Sequence, residues 1–236
     1  MKKRENSAGM YGWIEGGECA GKGGVMRDIA DRYPDIVRTR EPGGTELAEE
    51  IRAMILKEKK RYRRIDYRNF SPLVQAYLFN AARAHHVDNV IAPALAEGKH
   101  VVSDRFHLAT FAYQGGCDAG IVDFLVRMDA FTLGHREDEH GRAVSAPRYP
   151  DYGIYIDVAP EEELRRTLEC RTKAERNHFD ATDIAKIEVR RRMFLGTVSM
   201  LRKLYPVHVV DGNRPEAEVR EEVIGMIRDY DQKRFR

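Results

Sequence analysis

Apolar positions along the chain switch repeatedly between two patterns, and the switching predicts the elements. Short, nearly continuous apolar runs read as buried strands, and apolar residues three and four apart read as helices. Strands are expected at residues 10–15, 35–39, 100–103, 153–158 and 207–211. Gly12 weakens the first of them, since glycine brings no side chain to pack. Helices are expected at 25–33, at 46–57 (Leu47, Ile51, Met54 and Ile55 on one face), at 72–97, at 118–133, from Pro160 onward, at 183–204 and at 215–230. Pro93 should kink or split the long 72–97 stretch, and Gly98 should stop it. Five strands separated by helices predict an α/β fold, a five-stranded parallel sheet with helices on both faces. No internal repeat or linker divides the chain, so residues 1–236 read as a single domain.

Composition narrows the function classes. With 236 residues, 42% hydrophobic and 33% charged, the chain can bury one substantial core. A formal net charge of +2 argues neither for nor against a polyanionic partner. No apolar run approaches the ~18 residues of a membrane span, and the polar opening residues 1–7 carry no signal-segment pattern. Cys19, Cys117 and Cys170 are far apart and odd in number, which suggests neither a metal site nor a disulfide framework. A reducing cytoplasm is the expected compartment, with Cys19 an inert small side chain or an oxidation-sensitive one.

The first chemistry lies at residues 14–24, I-E-G-G-E-C-A-G-K-G-G. Gly16, Gly21 and Lys22 match the first seven positions of G-x-x-x-x-G-K-[ST], between an expected strand and an expected helix. Such a turn gathers backbone N–H groups onto phosphate oxygens, the helix adds its positive end, and the lysine supplies a point charge. The eighth position, normally a Mg²⁺-binding hydroxyl, is Gly23. A tight turn without a ligand is the alternative.

In open α/β sheets, ligands sit at the carboxyl ends of the strands. Two further motifs fall there: T-R-E-P-G-G-T at 39–45 and D-R-F-H-L-A-T-F-A-Y-Q-G-G at 104–116. A third, F-N-A-A-R, sets Phe79 and Arg83 four apart on one helix face. Singly, each has a structural reading: an exposed turn before Pro42, a capping Asp104, a core Phe79. Together, their order and spacing favour a site. Residues 57–68 are strongly basic and read as a solvated surface loop, and residues 135–148 as a flexible polar loop.

With these four motifs the chain resembles the bacterial-type thymidylate kinases, from Gly12 to the last helix. The 39–45 and 104–116 motifs are the most discriminating. The resemblance implies a P-loop NTPase fold with a short lid at about 170–182. It also implies transfer of the ATP γ-phosphoryl group to dTMP, Mg²⁺ as cofactor, a cytoplasmic homodimer, and no membrane or nucleic-acid partner. It assigns ATP to Gly16, Gly17, Glu18, Cys19, Ala20, Gly21, Lys22, Gly23 and Gly24. By the same likeness Phe79 would stack on thymine; Arg83, Thr110 and Gln114 would read the base edge; Tyr113 would lie against the sugar. Arg52 and Arg105 would hold the acceptor phosphate, with Glu41 beside it. Asp104 and Glu18 would serve the metal, and Glu18 also the acceptor. Lys22, Asp104, Arg105 and a lid arginine, Arg171 or Arg176, would carry the catalysis.

The chain departs from the pattern at Gly23, at Ala109 (often serine) and at His178 (often arginine). Gly23 raises an alternative: a weakly active or inactive binding protein of the same fold. Another base preference is a third possibility, because one methyl group is worth only ~1–3 kcal/mol of discrimination.

Overall fold

The computed structural model describes residues 9–56, 70–115, 119–134, 136–137, 143–145, 148–170 and 183–233. The chain opens with β1 (Tyr11–Gly16), α1 (Lys22–Arg32), β2 (Val37–Arg40), α2 (Glu46–Ile55), α3 (Pro72–His86) and α4 (Ala92–Ala96). β3 (Val101–Asp104), α5 (His107–Thr110) and α6 (Ala119–Thr132) follow, then the two-stranded antiparallel ribbon of β4 (Arg136–Glu137) and β5 (Ala143–Ser145). The last elements are β6 (Tyr152–Asp157), α7 (Pro160–Cys170), α8 (Ile184–Leu201), β7 (Val207–Asp211) and α9 (Glu216–Lys233).

The five main strands form one parallel sheet in the order β2-β3-β1-β6-β7. β1 is central because its residues are the most buried, and every position from Tyr11 to Gly16 is closed to solvent. Strand alternation divides the core in two. Ile14, Ile154, Ile156 and Val210 pack against Val25 and Ile29 of α1 and Val219, Val223 and Ile227 of α9. Tyr11, Trp13 and Tyr155 face the other way, onto Val87, Phe106, Phe194 and Val198. Gly12 does not weaken β1 as its composition suggested: a Cβ there would overlap the Tyr152 ring, so the glycine makes room for a buried tyrosine on the adjacent strand.

The expected strands and helices are all present, with ends moved by at most three residues. The break in the 72–97 stretch takes the form of a wide π turn at Val87–Ile91, immediately before Pro93, and Gly98 ends the run at φ 76°. Two expectations change. Part of the 135–148 segment is the β4–β5 ribbon and not a flexible loop. Helical structure at 107–115, α5 continued by the π turn Phe111–Gly115, lies inside a motif read only for its chemistry. Residues 57–68, expected as a basic loop, lie outside the described residues.

The topology puts chemistry at one end. β1 pairs with β3 on one side and β6 on the other, so the chain's direction of winding reverses beside it, where open sheets form their binding crevice. At the carboxyl ends, Ile14 and Arg40 are both in register with Asp104.

Candidate active site

The phosphate loop is the turn between β1 and α1. Gly21 caps α1 in the left-handed conformation (φ 94°), and Cys19 is also left-handed at φ 52°. Alternating backbone hands in a tight turn bring successive N–H groups toward one side, which makes an anion cradle. Lys22 Nζ donates to the carbonyls of Gly16 and Gly17, at 2.8 Å each, so the ammonium lies across the turn. Burial lowers its pKa, and Arg105 adds to this; Asp104, Glu18 and Glu15 pull the other way.

Arg105 sits just past β3 at φ 68°, a conformation that costs a non-glycine residue roughly 1–2 kcal/mol. Its N–H donates to Ile14 O at 2.8 Å. Its guanidinium donates to Glu15 Oε1 (2.7 Å) and Glu18 Oε1 (2.8 Å). Burial disfavours the charge, but Glu15 and Glu18 outweigh it and hold Arg105 firmly protonated. Glu15 is fully buried, and desolvation raises its pKa against the pull of Arg105 and Lys22. Sequence reasoning gave Glu15 no role; its place directly before Gly16 was the available signal.

The second half of the site centres on Arg83, 3% exposed. Its Nε donates to Glu41 Oε2 (2.8 Å), and one terminal nitrogen donates to Thr110 Oγ1 (2.9 Å) and Phe106 O (3.2 Å). Glu41 Oε1 also pairs with His86 Nδ1 at 3.0 Å, and His86 Nε2 meets Thr39 Oγ1 at 2.5 Å. His86 was missed from sequence, since a helix-end histidine gives no sign of a partner 45 residues away. The Glu41–Pro42 peptide is cis, and Arg52 donates to Pro42 O at 3.3 Å. Gln114 Nε2 donates to Gln75 Oε1 at 3.0 Å, leaving Gln114 Oε1 buried without a hydrogen-bond partner. Burial pushes the Tyr113 phenol up to about 12, so it is a neutral donor at physiological pH.

A third contact comes from α7. Glu163 Oε1 accepts the Glu18 N–H at 2.9 Å and is ion-paired with Arg190 of α8. Gly17 leaves the space this requires, since a Cβ there would overlap the Glu163 carboxylate. Neither Glu163 nor Arg190 is legible from sequence as a loop-binding residue.

Cys19 and Cys170 are joined as a disulfide, which corrects the expectation of unpaired cysteines. Their 151-residue separation hid the pair. β6 lies beside β1, so the helix following β6 runs past the phosphate loop. Cys170, expected to start the lid, is the last residue of α7. The remaining lid residues, Arg171, Arg176 and His178 among them, lie outside the described residues.

One cavity of about 560 Å³ joins these parts. Its walls include Glu18, Cys19, Ala20, Gly21, Lys22, Gly23 and Gly24 from the phosphate loop. They also include Glu41, Arg52, Phe79, Arg83, Asp104, Arg105, Thr110, Tyr113 and Gln114 from the other motifs. Gly16 and Gly17 are not among the lining residues; their carbonyls accept from Lys22. Among the described residues no three His, Cys, Asp or Glu side chains cluster as a closed metal cage. Mg²⁺ takes one or two carboxylates and completes its shell with waters and substrate phosphates. Asp104 suits that demand: it lines the cavity, and its Oδ1 is buried without a hydrogen-bond partner. Glu18 also lines the cavity, with its Oε1 accepting from Arg105.

The family model described as thymidylate kinase matches residues 14–223. A thymidylate kinase of Dinoroseobacter shibae is 34% identical over 217 residues, covering 89% of this chain and 92% of that protein. One of Lactobacillus helveticus is 32% identical over 227 residues, covering 93% and 95%. The crystal structure of thymidylate kinase from Ehrlichia chaffeensis superposes with a TM-score of 0.62 at 22% identity, covering 94% of this chain and 99% of that one; the likeness shows a shared fold.

Proposed function

The chain belongs to the thymidylate kinase family, and on that premise we propose that it transfers the γ-phosphoryl group of ATP to dTMP, giving ADP and dTDP for dTTP synthesis. The observation that carries this is the single cavity lined by both a phosphate loop and a buried recognition pocket around Arg83. Phosphoryl transfer needs in-line positioning and neutralisation of charge spread over the equatorial oxygens, with little covalent help. The loop N–H groups and Lys22 would receive the ATP phosphates, and Arg105 and Arg52 the acceptor phosphate. Glu15 and Glu18 accept from Arg105 and so orient it. Arg171 or Arg176 would add positive charge at the transferred group. Mg²⁺, held by Asp104 and Glu18, would neutralise phosphate charge when bound.

On the acceptor side, Phe79 would stack on the base and Tyr113 would lie against the sugar. Arg83, fixed by Glu41, would donate to a base carbonyl, with Thr110 completing that contact. Gln114 Oε1, a buried acceptor lacking a donor, suits the N3–H of thymine or uracil. Cytosine carries no hydrogen there, and a mismatched buried acceptor costs about 1–3 kcal/mol. The inactive alternative raised by Gly23 has no observation in its favour, because Lys22, Asp104 and Arg105 all face the shared cavity.

In this reading the protein works in the cytoplasm as a homodimer paired through helices, without nucleic-acid or membrane partners. Leu73, Val74 and Tyr77 stand exposed along α3, a surface suited to such pairing. Among the described residues no helix is long and apolar enough to cross a membrane. Calorimetry tests the specificity. dTMP and dUMP should bind, with dCMP about tenfold weaker or worse, the equivalent of 1.4 kcal/mol. Equal binding of dCMP, or none of dTMP, would overturn the proposal.

A further inference from the structure

We propose that Cys19 and Cys170 are a reversible thiol–disulfide site, through which an oxidant of the hydroperoxide class weakens the enzyme's hold on ATP. The proposal rests on the kinase reading for its functional consequence, but not for its chemistry.

The pair joins the two parts of the donor site that α7 already brings together. Cys19 lies in the phosphate loop, and Cys170 is the last residue of α7. Glu163 and Cys170 are seven residues apart, close to two helical turns, so they share one face of α7. That face therefore holds the loop twice: Glu163 accepts the Glu18 N–H at 2.9 Å, and Cys170 bonds the next residue, Cys19. The first contact does not depend on redox state and is backed by the ion pair of Glu163 with Arg190. The second depends on redox state. Both cysteines line the cavity, Cys170 exposed and Cys19 half-buried, so small oxidants and reductants can reach them.

The chemistry closes on itself. One thiolate attacks the hydroperoxide; the O–O bond breaks, the leaving oxygen takes a proton and departs as an alcohol, or as water from hydrogen peroxide, and a sulfenic acid forms. The second thiol attacks that sulfur, the S–S bond forms, and water leaves. A dithiol reductant reverses the reaction by exchange, taking up the disulfide itself and restoring both thiols. In compartments that keep thiols reduced, disulfides are usually transient and regulatory.

The consequence falls on the donor nucleotide. In the oxidised form the bridge fixes the loop to α7 and places two bonded sulfurs in the cavity wall beside Ala20 and Gly21. ATP phosphates must settle into that loop, so the cross-link opposes their entry and any adjustment of the turn. The base end of the acceptor site is held separately, through Glu41, Arg83, His86 and Thr110, and none of these bonds involves α7; Arg105 at its phosphate end keeps the β1 residue Glu15 as a partner beside Glu18.

The test compares enzyme treated with hydrogen peroxide and enzyme treated with dithiothreitol. Peptide mass spectrometry should find Cys19 linked to Cys170 only after oxidation. The KM for ATP should rise about 5–150-fold, the usual span of coupling between sites, while the KM for dTMP stays nearly constant. Cys170→Ser should give the reduced enzyme's ATP KM under both treatments. Absence of the cross-linked peptide after oxidation would overturn the proposal, as would a cross-linked enzyme whose ATP affinity is unchanged. Should dTMP prove not to be phosphorylated in either state, the kinase reading fails. Calorimetric ATP affinity of the two forms then decides the redox proposal on its own.

Discussion

Glu41 and Arg83, 42 residues apart in the chain, meet at 2.8 Å with side chains only 4% and 3% exposed. One comes from the turn after β2 and the other from α3, so the ion pair locks the acceptor pocket's walls together. Removing one partner leaves the other charge buried with a lesser partner only, Asp129 at 3.6 Å from Arg83 or His86 at 3.0 Å from Glu41, a loss of up to about 3–5 kcal/mol. Glu41→Gln and Arg83→Met should each lower stability toward that range in urea denaturation. The double variant should cost less than the sum of the two, because each single change already forfeits the shared interaction. Additive losses would show that the pair does not act as a unit.

Adjacent glycines of the phosphate loop should respond differently to substitution. A Cβ at Gly23 meets only Arg27, at 3.6 Å, an ordinary contact. At Gly24 it would lie 2.8 Å from Arg220 Cδ and 3.0 Å from Glu216 Oε1. Gly23→Thr should therefore fold normally and supply a hydroxyl where the G-x-x-x-x-G-K-[ST] pattern carries one. Its kcat/KM for ATP should rise, by up to about 10–100-fold if the hydroxyl matters as much as a supporting metal contact. Gly24→Thr should destabilise by about 1–3 kcal/mol through overpacking against α9. Thermal melts and steady-state kinetics on both variants check the contrast.

Lys22 gives a pH prediction. Its folded pKa is lowered, mainly by burial. The free enzyme should thus lose the Lys22 charge below the ordinary lysine value of about 10.4. The profile of kcat/KM for ATP, which reports the free enzyme, should bend downward on the alkaline side below that pH. Between the lowered folded value and the ordinary one, the unfolded chain binds more protons, so this group makes stability rise with pH there. A profile flat up to that value would contradict the burial argument. Lys22→Met should reduce kcat by about 10²–10³-fold, as for loss of one preorganised donor to a developing charge.

The clasp from α7 is also open to test. Glu163→Ala removes the acceptor for Glu18 N–H and the buried ion pair between Glu163 and Arg190. It should raise the KM for ATP more than the KM for dTMP and lower stability by about 3–5 kcal/mol. Glu163→Gln, which keeps an acceptor oxygen, should recover most of the ATP affinity.

What the sequence disclosed was what is local. The phosphate loop, the 39–45 turn and the 104–116 motif each compress their chemistry into a few consecutive residues, and all reach the same cavity. The strand and helix periods likewise gave the sheet. What stayed hidden depends on packing between distant elements. Glu15 reads as the end of a strand until Arg105 folds over it, 90 residues later. His86 reads as a helix terminus until Glu41 reaches it. Glu163 reads as one of three acidic residues at a helix start, a common way to satisfy the helix dipole, until α7 is laid beside the phosphate loop. Cys19 and Cys170 are the extreme case, since only the adjacency of β1 and β6 brings them together. Gly12 was misjudged for the same reason, because the Tyr152 ring that needs its space lies on another strand.

Coupled ADP release is the most direct measure of the central claim, with Mg-ATP as donor and dTMP, dUMP, dCMP, AMP and GMP offered separately. The site described here predicts dTMP-dependent turnover in the common enzyme range of roughly 1–10³ per second, with dCMP and the purine monophosphates far poorer acceptors. Absence of dTMP phosphorylation by folded, reduced protein, under conditions where a control kinase works, would contradict it.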